Sequence, residues 1–226
     1  MRPSDGLSRA ALDAWAVISP TECSGCGMPD RALCGACLAA LAPRVHSSER
    51  SGVLVWSALD YSGVARRVLG AYKDGGRTDA AAALAGPLRA VVAASLAPVV
   101  EGAGVHLVTV PSSRRAWRIR GYHPVELLLG RAGLRATRLL RTVGETQDQV
   151  GLGSAERGRN RTGSLVANSS LRGFRVLVVD DILTTGATVL EVRRAVLAAG
   201  GEVVGVATLA ETRRRFPVTR GSSETD

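Results

Sequence analysis

The chain is poor in aromatic residues and in lysine. Only 4% of its 226 residues are aromatic, so aliphatic side chains and alanine must fill any core. Lys73 is the single lysine, the other basic residues are all arginine, and the formal net charge is +9. A GC-rich genome favours arginine and alanine codons, which weakens the inference from positive charge to nucleic-acid binding. The same bias makes the one lysine a candidate functional residue.

The sequence also lacks long apolar runs that would cross a membrane or direct secretion. Residues 7–18 have the pattern of a short amphipathic helix, without the basic-then-apolar order of a signal peptide. The alanine-rich stretch 80–100 contains Pro87, Arg89 and Pro98, which argues against a membrane span. With 46% hydrophobic and 22% charged residues, the composition is typical of a soluble globular protein. We therefore expect a cytoplasmic protein with no membrane span.

The most informative run is VLVVDDILTTGAT, residues 176–188. Its first four residues are apolar and predict a buried parallel strand, with Asp180 and Asp181 at the carboxyl end of that strand. Small or hydroxylated residues follow where the chain turns into a predicted helix: Thr184, Thr185, Gly186, Ala187 and Thr188. A helix N-terminus presents unpaired N–H groups and favours negative charge, so this turn suits a phosphate. The carboxylates beside it can accept hydrogen bonds from ribose hydroxyls. The alternative is an ordinary strand and turn with two solvated aspartates, which is disfavoured because two adjacent acids have no role in a core.

All four cysteines lie in one short segment, as Cys23, Cys26, Cys34 and Cys37 in the pattern C-x2-C-x7-C-x2-C. Neighbouring glycines allow the tight turns that place two thiolates on one metal, and zinc prefers four thiolates in a closed structural site. The alternatives are two disulfides, four free thiols or a redox CxxC pair. A chain without an export signal disfavours disulfides, and two CxxC pairs in fifteen residues favour a metal. We expect structural Zn²⁺ here, with no catalytic role.

Strands alternate with helices along the rest of the chain, which is typical of a parallel α/β sheet. The predicted strands are 53–61, 106–110, 137–140, 176–179 and 203–209. The predicted helices are 64–72, 79–97 and 124–133, and a further helix is predicted after the run 176–188, with Val189, Val192, Val196 and Ala199 on one face. Ligands of such sheets bind beyond the carboxyl ends of strands. The loop after Val110 carries Ser112, Ser113, Arg114 and Arg115, and an arginine there can bind a pyrophosphate bidentately. The alternative for these arginines is a solvated basic surface.

Residues 144–164 are polar and have no apolar period. A stretch of this length within a compact domain is typical of a functional lid or a linker.

The run 176–188 resembles the signature with which type I phosphoribosyltransferases bind 5-phosphoribosyl-1-pyrophosphate (PRPP). The whole layout is similar to the ComF family of competence-associated, phosphoribosyltransferase-like proteins. Besides the signature and the two CxxC pairs, the similar segments are Tyr61-Ser62-Gly63, Tyr72-Lys73, Val110-Pro111 with the following arginines, Arg120-Gly121-Tyr122, and Arg157 with Asn160. One departure is Tyr122-His123-Pro124, where many relatives have Phe-Asn-Gln.

This resemblance implies the type I phosphoribosyltransferase fold, an α/β fold in which a parallel sheet of about five strands is flanked by helices and covered by a small hood. We expect three parts: an N-terminal helix and four-cysteine zinc knuckle over residues 1–45, a phosphoribosyltransferase-like domain over 46–215, and a disordered tail over 216–226.

The resemblance also implies a function. The protein would bind PRPP with Mg²⁺ and transfer phosphoribose to an unidentified acceptor, releasing pyrophosphate. Asp180 and Asp181 would bind the ribose hydroxyls, directly or through Mg²⁺, while the turn from Thr184 to Thr188 cradles the 5-phosphate. Arg114 or Arg115 would meet the pyrophosphate, and Lys73 would approach it from the hood. Residues 147–161 would close as a lid that brings in Arg157 or Arg159 and excludes water.

Two further expectations concern the substrate. Purine-salvage relatives carry an aspartate at the position of Thr184, and threonine cannot act as that base at neutral pH, so we do not expect hypoxanthine or guanine salvage. The alternative to a transferase is a non-catalytic protein that senses PRPP or handles single-stranded DNA in DNA uptake or repair, with DNA or uptake and repair proteins as partners.

Overall fold

The computed structural model describes most of the chain, with gaps: residues 22–50, 52–99, 104–112, 114–143 and 163–212. Three predictions lie outside these described residues: the N-terminal helix over 7–18, the lid over 147–161 with Arg157, and the tail over 216–226.

Strands and helices alternate along the described residues. The strands are β1 (His46–Arg50), β2 (Val53–Asp60), β3 (Val105–Thr109), β4 (Leu140–Thr142), β5 (Leu165–Ala167), β6 (Arg175–Leu183) and β7 (Glu202–Glu211). The α-helices are α1 (Gly35–Ala40), α2 (Gly63–Lys73), α3 (Ala81–Leu96), α4 (Arg114–Arg120), α5 (Pro124–Arg131) and α6 (Ala187–Ala198). A 3₁₀ turn, Thr78–Ala80, precedes α3.

Five of these strands form one sheet in the order β1-β2-β7-β6-β3. The pairs β2–β7, β7–β6 and β6–β3 are parallel, and β1 is an antiparallel edge strand. The apolar run Val176–Val179 of β6 is fully buried, as expected of a central strand that is covered on both faces. Helices α3 and α5 share one core cluster with the sheet, and α6 shares the other. The predicted α/β class with a mainly parallel sheet is confirmed.

Helix α3 is the most apolar helix described. Together with the preceding 3₁₀ turn it spans Thr78–Leu96, and among the described residues this is the one segment long and apolar enough to cross a membrane by length and composition. Half of its apolar window is buried inside the domain, where Leu84, Leu88 and Val91 are fully inaccessible. The helix therefore serves as a core helix of this domain.

Three features differ from the predicted elements. β1 forms at residues 46–50, where the polar sequence predicts no strand, because antiparallel pairing with β2 supplies its partner. α4 replaces an expected loop after β3. The strand predicted at 137–140 is shifted to β4, which pairs with β5 in a separate two-stranded sheet.

Candidate functional site

The acidic pair lies near the end of β6. We predicted that the strand would end at Val179, but β6 continues to Leu183 because its pairing with β7 does not stop at the acids: Asp180 is opposite Thr208, and Leu183 is opposite Glu211. β3 lies beside β6 and runs parallel to it. The segments that follow both strands therefore emerge at the same edge of the sheet, as ligand-binding loops do in such folds.

The turn after β6 opens directly onto the N-terminus of α6. Thr184 and Thr185 are exposed, and Gly186 has a φ of +84°, a conformation that glycine adopts without a steric cost. The hydroxyl of Thr185 accepts a hydrogen bond from the Ala187 N–H at 3.4 Å. Helix α6 is held in the core by Val189, Val192 and Val196, so its first turn has a fixed position at this edge. These groups provide hydroxyls and helix N–H groups for an anion.

Lys73 reaches the acidic pair from another element. It is the last residue of α2, and its Nζ lies 2.6 Å from Oδ2 of Asp181. Asp181 is 8% exposed, and its Oδ1 accepts the Ile182 N–H at 2.8 Å, while Oδ1 of Asp180 accepts the Asp181 N–H at 2.9 Å. The structure thus brings together three of the predicted site residues. The ion pair joins positions far apart in the chain, and no sequence pattern signals it.

Two tyrosines hold the end of α2 in place. The Tyr72 hydroxyl donates to the Pro124 carbonyl at 2.8 Å, and the Tyr122 hydroxyl donates to the Tyr72 carbonyl. Their ring centroids are 5.8 Å apart. Burial raises the pKa of both phenols, so both remain neutral hydrogen-bond donors. Sequence analysis placed both tyrosines in segments similar to a family pattern, but it did not predict that they position the end of α2.

The segment after β3 forms the other side of the same edge. Arg114 and Arg115 begin α4, so their backbone lies at the expected strand end, but their side chains are outside what the structure describes, as is Arg157. A cleft of about 390 Å³ opens here, lined by Ser112, Trp117, Arg118 and His123. Trp117 is 49% exposed.

The four cysteines form one compact cluster. All four Sγ atoms lie within 4.8 Å of one another, and the Sγ atoms of Cys26 and Cys34 are 3.7 Å apart. Tetrahedral zinc with Zn–S bonds of about 2.3 Å requires S···S distances of about 3.8 Å, so the cluster fits the ion. Burial raises the pKa of Cys37 to about 12, with help from its thiol neighbours. Burial also acts to raise the pKa of Cys23, but hydrogen bonds from backbone N–H groups outweigh it and lower that pKa to about 6.

The cysteine cluster sits on the first turns of α2. Val64 packs against the cysteines, and Nε of Arg67 donates to the Gly25 carbonyl. The other end of the same helix carries Lys73. Helix α2 therefore connects the cysteine cluster to the acidic pair.

The chain is similar to phosphoribosyltransferases over part of its length. Residues 132–221, less than half of the chain, match the family model described as "Phosphoribosyl transferase domain". The orotate phosphoribosyltransferase of Mycobacterium leprae is 55% identical over 47 residues, which are 21% of this chain and 26% of that protein. The orotate phosphoribosyltransferase of Pyrobaculum aerophilum is 53% identical over 45 residues, 20% of this chain and 23% of that protein. The chain thus spans about a quarter of the length of these curated relatives.

Solved phosphoribosyltransferase structures superpose weakly on this chain. The adenine phosphoribosyltransferase of Leishmania tarentolae superposes with a TM-score of 0.39 at 13% identity, over 74% of this chain and 94% of that chain. The enzyme from Saccharomyces cerevisiae gives 0.37 at 14% identity, over 79% of this chain and 89% of that chain. The matched family segment contains the acidic pair, the turn after β6, helix α6 and strand β7.

Proposed function

We propose that this protein binds PRPP together with Mg²⁺ and transfers its phosphoribosyl group to an acceptor, with release of pyrophosphate. The observation that carries the proposal is the placement of Asp180 and Asp181 beside the hydroxyl-rich turn at the N-terminus of α6, at the carboxyl edge of a parallel sheet. A sugar phosphate needs both parts, because carboxylates bind its hydroxyls and helix N–H groups bind its phosphate.

Each end of PRPP would meet a different group at this edge. The 5-phosphate would lie in the turn from Thr184 to Thr188, and the ribose hydroxyls would face the acidic pair. The pyrophosphate would extend toward the segment after β3, where α4 begins with Arg114 and Arg115. Lys73 already lies next to Asp181 and would supply a positive charge on that side.

The transfer step replaces one bond of the ribose with another. The bond from the anomeric carbon to the pyrophosphate oxygen breaks, and pyrophosphate leaves with the bonding electron pair. A nitrogen lone pair of the acceptor forms the new bond, and the nitrogen then gives up a proton to solvent. The chain's own contribution is to hold the ribose and phosphates and to offset the charge on the leaving pyrophosphate.

Mg²⁺ fits the donor set of this site, because that ion binds through one or two carboxylates together with substrate phosphates. Asp180 and Asp181 would hold it, and when bound it would offset negative charge on the leaving group. In the structure Lys73 contacts Oδ2 of Asp181, so the lysine and the metal would compete for that oxygen. Zn²⁺ would be held by the four cysteines, and its role would be structural because a four-thiolate site leaves no open position.

The acceptor is the least constrained part of the proposal. Thr184 is exposed in the turn and carries no group that ionises near neutral pH, so the acceptor must not depend on a base at this position. This argues for an acceptor other than hypoxanthine or guanine.

A second candidate function is favoured by the cleft beside α4. Trp117 is half exposed and lies next to Arg118 in the cleft lining, and an exposed aromatic side chain beside arginine can stack on a base. This arrangement suits a protein that handles single-stranded DNA, in which PRPP would act as a sensed ligand and not as a substrate.

The first test is a calorimetric titration of Mg-PRPP into the wild type and into an Asp180→Asn, Asp181→Asn double variant. We expect binding by the wild type and at least a tenfold loss in the variant. Pyrophosphate release is then measured with a panel of bases, amines and single-stranded DNA. No binding by a folded, zinc-loaded wild type would refute the proposed ligand.

The DNA-handling alternative makes a separate prediction. It requires DNA binding that falls steeply with salt and that Trp117→Ala weakens. Binding of Mg-PRPP without pyrophosphate release in any mixture, combined with such DNA binding, would favour the alternative over the transferase.

A further inference from the structure

Glu211, the last residue of β7, is a buried carboxylate that the proposed function leaves unexplained. It is only 4% exposed. The hydroxyl of Ser48 donates to its two oxygens at 3.1 and 2.9 Å, and the hydroxyl of Ser57 donates at 3.2 Å. A guanidinium nitrogen of Arg50 forms an ion pair with it, and Nε2 of His46 lies 3.6 Å away. Burying a carboxylate is costly unless it is paired, so this arrangement is a built feature.

Strand β1 supplies most of these partners. Its alternating residues His46, Ser48 and Arg50 are half-buried, whereas Ser47 and Glu49 are exposed. Because successive side chains of a strand point to opposite faces, one face of β1 is directed at Glu211. The polar residues that make β1 look like a loop in the sequence are therefore the ones that contact the Glu211 carboxylate.

Arg50 lies against the turn that follows β6. Its Cβ is 3.7 Å from the position that a Cβ on Gly186 would occupy. The Arg50 side chain is 13% exposed, and its Nε is buried without a hydrogen-bond partner. Glu211 therefore engages one guanidinium nitrogen, the Glu49 carbonyl accepts a hydrogen bond from a second nitrogen at 3.4 Å, and Nε is left without a partner.

The turn itself has no positive side chain. Residues 184–188 are threonine, glycine and alanine, so within the turn only hydroxyls, N–H groups and the helix dipole face an anion. A phosphate dianion binds more tightly where a guanidinium adds charge and directed donors. The Arg50 side chain begins beside Gly186 of this turn and carries such a guanidinium.

We propose that Arg50 is a further ligand-binding residue, whose guanidinium, held in place by Glu211, binds the phosphate seated in the Thr184–Thr188 turn. The proposal rests on the proposed function and adds the cation that its 5-phosphate site lacks. It also explains why a polar edge strand packs against the end of β7.

The test separates the two ends of PRPP. Ribose 5-phosphate and inorganic pyrophosphate, each with Mg²⁺, are titrated into the wild type and into an Arg50→Gln variant. We expect Arg50→Gln to weaken the binding of ribose 5-phosphate tenfold or more and to change the affinity for pyrophosphate less than twofold. Arg193→Gln removes an exposed charge from α6, the helix that follows the turn, and serves as the control with both affinities unchanged.

A second variant keeps the result interpretable if Arg50→Gln unfolds. Arg50→Gln leaves Glu211 buried without its ion-pair partner, whereas Arg50→Gln with Glu211→Gln removes both charges. We expect this double variant to regain thermal stability and to bind ribose 5-phosphate as weakly as Arg50→Gln does. Recovery of that affinity together with stability would show that Arg50 acts only through the fold and would overturn the proposal.

The outcomes also distinguish this inference from the function on which it rests. If the wild type binds Mg-PRPP and ribose 5-phosphate, and folded Arg50→Gln binds both equally well, only the role of Arg50 is refuted. If the folded wild type binds neither ligand, both proposals fail.

Discussion

The ion pair between Lys73 and Asp181 leads to a prediction that distinguishes a ligand-binding lysine from a purely structural one. The change is Lys73→Met, which keeps the length of the side chain and removes its charge. The Lys73 side chain is 30% exposed and that of Asp181 is 10% exposed, so the pair lies between an exposed and a buried ion pair. An exposed pair contributes about 0.2–1 kcal/mol and a broken buried pair costs about 3–5 kcal/mol. We therefore expect a loss of about 1–2 kcal/mol in the free energy of unfolding, or roughly 2–8 °C in Tm.

The effect of Lys73→Met on ligand binding differs between a ligand-binding lysine and a purely structural one. If Lys73 binds the pyrophosphate, the loss of a charge-assisted hydrogen bond of about 1.5–3 kcal/mol weakens the binding of Mg-pyrophosphate roughly 10- to 150-fold. If Lys73 only neutralises Asp181, its removal frees that carboxylate for Mg²⁺ or ribose, and affinity stays the same or rises. Calorimetric titrations of Mg-pyrophosphate and of Mg-ribose 5-phosphate measure the affinity for each end of PRPP. We expect Lys73→Met to lower only the affinity for Mg-pyrophosphate.

A control and a thermodynamic cycle complete this experiment. Arg66→Met removes an exposed positive charge from the same helix and should leave both affinities and Tm unchanged. A double-mutant cycle with Asp181→Asn isolates the coupling between the two residues in the absence of ligand. Unchanged or tighter pyrophosphate binding by a folded Lys73→Met variant would refute the role of Lys73 in binding the leaving group.

Three further predictions concern the fold around the site. The purified protein should contain one zinc per chain by native mass spectrometry, and a strong chelator should lower its Tm, because such a small module depends on its metal for folding; full stability without metal would contradict this. Gly25→Ala should lower the free energy of unfolding by about 1–3 kcal/mol and weaken zinc binding, because the added Cβ would lie 2.5 Å from Sγ of Cys37. In the control Gly35→Ala the added Cβ meets nothing within 4 Å, so chemical denaturation should show no change in stability. A hydrogen bond from Arg194, against the opposing effect of burial, holds the pKa of Glu191 below its ordinary value of 4.5. Because the folded pKa is the lower one, Glu191 stabilises the protein above its unfolded pKa and loses that contribution as the pH falls through the folded pKa. The stability advantage of the wild type over Glu191→Gln should therefore shrink on acidification below about pH 4.5 in urea titrations, and a gap independent of pH would refute the assignment.

Local patterns were sufficient for the elements that carry the site. The run of apolar residues in β6 predicted a central strand because a strand buried on both faces cannot alternate with polar residues. Spacing predicted the cysteine cluster because two CxxC pairs place four thiols within reach of one ion. The end of β6 was predicted four residues too early, since Asp180 and Asp181 look like a loop while the backbone pairing with β7 continues past them.

Contacts between distant residues could not be predicted in the same way. The sequence of β1 is typical of a polar loop. It is a strand because it pairs with β2, and its inner residues surround Glu211, which is 161 positions away from Arg50. The rarity of lysine and the family resemblance both indicate Lys73, but its ion pair with Asp181 depends on where α2 ends relative to β6.

The sequence by itself thus determined the α/β class, the four-cysteine cluster and the acidic pair with the hydroxyl-rich turn beside it, because each is encoded by neighbouring residues whose spacing sets their geometry. Only the tertiary structure decided which cations stand beside those groups. Lys73 reaches Asp181 because α2 is fixed between the cysteine cluster and the Tyr72–Tyr122 contact, and Arg50 reaches the turn because an edge strand pairs with β2. Such pairings depend on the packing of whole elements, and the residues that form them carry no local pattern.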